Sequence, residues 1–80
     1  MSRSDRVHPL SLLRPGARGR IARVTRDLTA RAERLGAMGV SPGASVTVLQ
    51  TFPGIVFECD QTELVVERVV ARSILVEVDE

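Results

Sequence analysis

Nine residues near the middle of the chain, Leu35 to Gly43, read LGAMGVSPG, and they restrict what can lie on either side of them. Leu35 and Met38 are three apart, the spacing of residues that share one face of a helix. Gly39 follows where a helix that stops needs a residue in the left-handed conformation. Pro42 cannot carry the helix on. Pro42-Gly43 is a turn pair in which proline fixes φ and glycine is free to take a positive value. From Val46 the apolar period changes to two. The stretch is therefore a helix end, a reversal and a strand start in succession. A helix leads into it and a small sheet follows.

Upstream, Met1 to Val7 holds little that can be buried, so residues 1–8 read as a flexible tail and 9–80 as one domain. Leu10, Leu12 and Leu13 form a short apolar patch that covers one end of the core, closed by the turn signal Pro15-Gly16. Arg18 to Val24 is the first predicted strand. Its apolar residues Ile21, Ala22 and Val24 do not alternate strictly, which with Gly19 points to a bulge or an edge. Asp27 is a candidate N-cap. Leu28, Ala32, Leu35 and Met38 then make a helical stripe.

Downstream, Val46 and Val48 face one way and Ser45, Thr47 and Leu49 the other. Phe52-Pro53-Gly54 interrupts. Ile55, Phe57 and Cys59 then alternate with Val56, Glu58 and Asp60, and Leu64 and Val66 with Glu63, Val65 and Glu67. Asp60-Gln61-Thr62 between them is short enough for a hairpin. Arg68 to Ser73 is long enough for a single helical turn, and Ile74, Val76 and Val78 alternate in a last strand. Five short strands, one short helix after the first and a turn before the last give a mainly β fold, a small antiparallel barrel. With 80 residues the core is small and its stability margin thin.

The residues argue against catalysis. Cys59 is the only cysteine and His8 the only histidine, too few for a three- or four-ligand metal site, and no intrachain disulfide can form. Cys59 lies between Glu58 and Asp60, the opposite of the positive surroundings that activate a thiol, and reads as a small core residue. No serine has a base in its motif and no phosphate-binding glycine loop is present. No enzyme, metal or cofactor is expected. The first residues are polar and no apolar run approaches about 20 residues, so a cytoplasmic chain without membrane insertion is expected. The two aromatics, Phe52 and Phe57, supply neither base stacking nor a proline-rich-peptide groove.

Two surface features remain. Residues 1–34 carry nine arginines against three acids, while 35–80 carry two against seven. Arg18, Arg20, Arg23 and Arg26 are the residues a nucleic-acid-binding barrel would use on phosphates. The absence of lysine favours the plainer reading, a solvated face in a chain whose general cation is arginine. Second, Leu49, Val56, Val65 and Leu75 all fall opposite the core. Gathered together they would form an exposed apolar patch of the kind that marks protein contacts.

Leu10-x-x-Leu13-x-x-Gly16, Ile21, LGAMGVSPG and Val46-Thr47-Val48 together resemble the FeoA family of small ferrous-iron-transport proteins. Thr62 to Glu67 followed by Ala71-x-x-Ile74-x-Val76 is similar to that family's closing hairpin and last strand. The resemblance spans residues 10–78. It implies an SH3-like barrel in the cytoplasm that acts on FeoB, the membrane transporter with a GTP-binding domain, without carrying iron itself. It also implies kinship with the barrel that closes some iron-dependent repressors, so a stand-alone regulatory domain is an alternative. Carried over by residue, Leu35, Met38, Gly39, Pro42 and Gly43 are the family's signature and a candidate partner surface. The same residue types are those a helix stop demands. Self-association stays open.

Overall fold

The period of two that begins at Val46 extends into a six-stranded antiparallel sheet. The computed structural model describes residues 6–25 and 36–79. Its elements are β1 (Val7–Pro9), a 3-10 turn (Leu10–Leu12), β2 (Arg18–Val24), β3 (Ser45–Gln50), β4 (Ile55–Cys59), β5 (Thr62–Val66), a helical turn (Arg68–Ala71) and β6 (Ile74–Val78). The strands lie in the order β1-β6-β2-β3-β4-β5. The sheet rolls around one core to which Leu10, Ile21, Val46, Val48, Ile55, Phe57, Val66, Ile74 and Val76 all contribute. Among the described residues no ladder joins β1 to β5, so the barrel is a rolled sheet with a seam.

The strand count is six rather than five. The additional strand is β1, whose Val7 and His8 lie in the stretch expected to be tail. They pair with Glu77 and Val76 of β6, and Pro9 pairs with Leu75. Three residues are too few to show an alternation, and this strand exists because β6 presents an edge for it. The helix expected over Leu28 to Met38 lies largely outside the described residues. Its end is seen: Gly36 and Ala37 are helical, and the Gly39 amide donates to the Gly36 carbonyl at 3.0 Å.

The irregular apolar pattern of β2 has the predicted cause, a bulge between Ile21 and Arg23 against β6. Gly19 has a separate reason. It sits between Val78 of β6 and Val46 of β3. A Cβ there would run into the Glu77 carbonyl oxygen, with the carbonyl carbon and Val76 Cγ1 both at 2.9 Å. Only glycine lets β2 approach β6 this closely.

Leu10 is fully buried and Leu13 packs on the core, whereas Leu12 is 72% exposed, so two of the three leucines cover the core end. The 3-10 turn packs against the Arg68–Ala71 turn. Val70 and Ala71 of that turn are buried. Buried Ser73 satisfies its hydroxyl by donating to the Val70 carbonyl at 2.7 Å, and its own carbonyl accepts from the Thr25 amide at 2.8 Å.

Candidate protein-contact face

The LGAMGVSPG stretch is tied into the sheet by its backbone. Gly39 and Gly43 have φ of +92° and +93°. In the turn Ser41 to Ala44, proline precedes the positive-φ glycine, the arrangement of a type II turn, and the Ala44 amide donates to the Ser41 carbonyl at 3.0 Å. The Gly43 amide donates to the Ile21 carbonyl at 2.8 Å, and the Ile21 amide to the Ala44 carbonyl at 2.9 Å. Val40 and Ala44 are buried, while Met38, Gly39, Pro42 and Gly43 are exposed. Leu35 lies outside the described residues. Neither glycine has a heavy atom within 4 Å of where a Cβ would stand. Gly39→Ala and Gly43→Ala should therefore each lose about 1–2 kcal/mol through φ alone, without a clash. Urea midpoints check this. An alanine as stable as glycine would show that the turn relaxes out of the left-handed region.

The β4–β5 hairpin turns on Asp60 (φ 47°) and Gln61 (φ 73°), both in the left-handed region, as a two-residue type I′ turn requires. Asp60 tolerates that conformation and braces the neighbouring strand. Its Oδ1 accepts from the Ser45 amide and from the Ser45 hydroxyl, each at 2.9 Å. These two bonds, the amide's first, and then Arg20 nearby hold its carboxyl below the ordinary aspartate range, partly offset by desolvation. A depressed folded-state value means a contribution present above the unfolded value of about 4 and lost as pH falls through the folded one. The stability gap between wild type and Asp60→Asn should therefore be widest above about pH 5 and should narrow towards pH 2. Denaturant midpoints along that range check the sign; a gap that widens on acidification would contradict it.

Cys59 is buried, and its thiol donates to the Gly39 carbonyl at 3.5 Å. Burial pushes the thiol up, and Asp60 adds to the shift, so it is protonated at neutral pH. It serves the core and the helix end. Among the described residues no three His, Cys, Asp or Glu side chains gather as a metal-ligand set. No helix among them is long and apolar enough to cross a membrane.

Apolar side chains meet solvent on the outer face of β3, β4 and β5, as they also do at Leu12, Met38 and Val69. Val56 pairs directly with Val65 across β4 and β5. Leu49 falls at the bulge between Val48 and Gln50, beside Val56. Val65 is 69% exposed and Leu49 44%, with Val56 half-buried. The loop after β3 adds Phe52, 80% exposed. That loop is held on one side by Arg68, which donates to the Thr51 carbonyl at 2.7 Å, and its Gly54 lies against Val65. Three of the four patch candidates thus form one row, with exposed Phe52 in the loop that follows β3. Phe52 was legible only as a strand-end aromatic before Pro53-Gly54.

Leu75 does not join them. It pairs with Arg23 and with Pro9, while Thr47 pairs with Arg18. Leu49 lies two residues beyond Thr47, so about seven residue lengths along β2, roughly 20 Å, separate it from Leu75. The helix end is a third location, since Gly39 meets Cys59 at the far end of β4 from Val56.

Of the β2 arginines, Arg20 stands among acids. Arg20 pairs with Glu77 across β6, donates to the Gly43 carbonyl at 3.3 Å and lies near Asp60.

A family model described as the FeoA domain matches residues 8–78. The chain belongs to the FeoA family. That membership implies a role in ferrous iron transport. The FeoA fold here is similar to a crystal structure of an iron uptake regulatory protein (FeoA), with 27% identity and a TM-score of 0.81, covering 91% of this chain and 97% of that one. It is likewise similar to the solution structure of FeoA from Chlorobium tepidum, at 31% identity and TM-score 0.81, over 90% of this chain and 73% of that one. T. acidophilum IdeR shares the fold at 20% identity and TM-score 0.83; the match covers 91% of this FeoA chain and 34% of the IdeR chain. No curated protein matches the chain by sequence.

Proposed function

We propose that this chain is a non-enzymatic accessory protein of ferrous iron uptake that acts by contact with the cytoplasmic part of the FeoB transporter. The observation that carries the reading is the FeoA-domain match over residues 8–78. The exposed row Leu49, Val56 and Val65, with exposed Phe52 in the loop after β3, supports a contact mechanism, because apolar side chains concentrated on one face mark protein interfaces. Val65 and Phe52 are the most exposed members and would anchor the contact. Met38, Gly39, Pro42 and Gly43 present a second, smaller surface at the other end of β4. Their backbone bonds favour a structural role for the glycines, leaving Met38, 46% exposed, as the contact residue there.

The repressor likeness supports a stand-alone regulatory domain at the level of fold only, being 20% identical. Nucleic-acid binding is disfavoured because Arg20, at the centre of the β2 arginines, already stands beside Glu77 and Asp60.

Co-purification with an affinity-tagged transporter tests the reading, together with iron uptake in cells lacking this chain. Capture of the chain and reduced ferrous uptake on its deletion are expected. Absence of binding at tens of micromolar with unchanged uptake would overturn it.

A further inference from the structure

The outer edge of the β4–β5 hairpin brings a charge pattern and a strand edge to the same residues. The strand order ends at β5 on one side and at β1 on the other. β1 is three residues long and finishes on Pro9, a form that discourages further pairing. β5 has five residues, TELVV, and no proline. Cys59 and Thr62 flank the two-residue turn, so they exchange hydrogen bonds and the pairs alternate outward from them. Glu58–Glu63 and Val56–Val65 are therefore the non-hydrogen-bonded pairs, whose side chains approach most closely. The same alternation turns the main-chain N–H and C=O groups of Glu63 and Val65 away from β4, towards the sheet edge.

Glu58 and Glu63 are both exposed. Two like charges directly opposed on one face are unfavourable on their own. Two residues along the same edge stands Val65, and two is the spacing at which an added strand presents side chains to one face. An acidic pair, an apolar side chain and outward main-chain groups thus occur at one strand spacing. A cation set against the glutamates would remove their repulsion, and that is what identifies the occupant.

We propose that β5 accepts an extended segment of a partner protein as an added strand, with an arginine or lysine against Glu58–Glu63 and an apolar side chain against Val65. The recognised pattern is basic–x–apolar. Main-chain hydrogen bonds supply affinity and the two side-chain positions supply selectivity. The proposal rests on the reading that this chain works by protein contact and adds the chemistry of the segment it holds.

The test titrates the labelled full chain, by amide NMR, with a seven-residue threonine peptide carrying arginine-x-valine, and with its counterpart carrying glutamate for arginine. Saturable shifts across Thr62–Val66 are expected with the arginine peptide, and binding about tenfold or more weaker with the glutamate peptide. Glu63→Gln should weaken the arginine peptide by a similar factor while raising the unfolding midpoint of the free protein by about 1–5 °C. A merely structural glutamate would not move the two readouts in opposite directions. Equal binding of both peptides, shifts centred elsewhere, a lower midpoint for Glu63→Gln, or dimerisation through β5 in place of peptide binding would overturn the proposal. Transporter binding without peptide binding removes the strand addition alone. Peptide binding without transporter binding removes the FeoB reading alone.

Discussion

Replacing Gly19 with alanine is expected to lower the stability of the protein by about 3 kcal/mol or more. β2 is the strand on which the fold turns, with β6 on one side and β3 on the other. At Gly19 the added methyl meets the Glu77 main chain first, and a main chain held in a ladder cannot swing aside as the tip of a long side chain can. Overpacking a core typically loses about 1–3 kcal/mol, and more where the neighbour is rigid. Relief by separation would break the pairs Gly19↔Val78 and Arg20↔Glu77, so the methyl and the ladder cannot both be accommodated. A domain of 80 residues has roughly 4–12 kcal/mol in total. A loss of about 3 kcal/mol or more exhausts most of it near the lower end. Circular dichroism and a urea titration decide the matter. A midpoint within error of wild type would contradict the packing of β2 on β6. The contrast with Gly43 is part of the expectation: there a Cβ has open space around it, and alanine strains only the backbone.

The second large effect is on binding. Val65→Asp combined with Phe52→Ala should weaken association with the transporter's cytoplasmic part by at least about thirtyfold, some 2 kcal/mol, the loss on removing anchor residues from an interface. Both side chains are mostly in solvent, so stability should fall by no more than about 2 kcal/mol, from the lost Val56–Val65 pair and the added acid. The aspartate also joins Glu58 and Glu63 on the same face, adding unfavourable charge for any apolar partner. Leu12→Ala is the control. Leu12 is as exposed as Val65 but belongs to the 3-10 turn after β1 rather than to β3, β4 or β5, and its loss should alter affinity less than about threefold. A common loss in both variants would mean that exposure in general, rather than this face, governs binding.

Much of the fold is legible locally. Gly39 and Gly43 take positive φ because a helix stop and a type II turn demand it, and the residue types alone announce both. Phe57 and Cys59 are buried, as their alternation with charged neighbours requires. The bulge in β2 follows from apolar residues that refuse a period of two. β1 was not legible, because Val7–Pro9 becomes a strand only when β6 is already in place beside it.

The same distinction divides the contact face. Alternation tells which side of the sheet a residue takes, and on that basis it groups Leu49, Val56, Val65 and Leu75. It does not tell how far along the sheet each one lies. That is set by register, which pairs Val56 with Val65 and sends Leu75 to Arg23. Phe52 lies in the loop after β3, where no period applies, and the Arg68 hydrogen bond holds the carbonyl of the residue before it. The Glu58–Glu63 opposition likewise emerges once Asp60-Gln61 fixes the turn at two residues.

The most direct measurement is an amide NMR titration of the labelled chain with the purified cytoplasmic part of the FeoB transporter, at two or three concentrations up to tens of micromolar. Saturable perturbation centred on Leu49, Phe52, Val56 and Val65, and sparing Leu12 and Leu75, is the expected result. A spectrum that does not change, or one perturbed along Arg18, Arg20 and Arg23 with the β3–β5 face untouched, would contradict it.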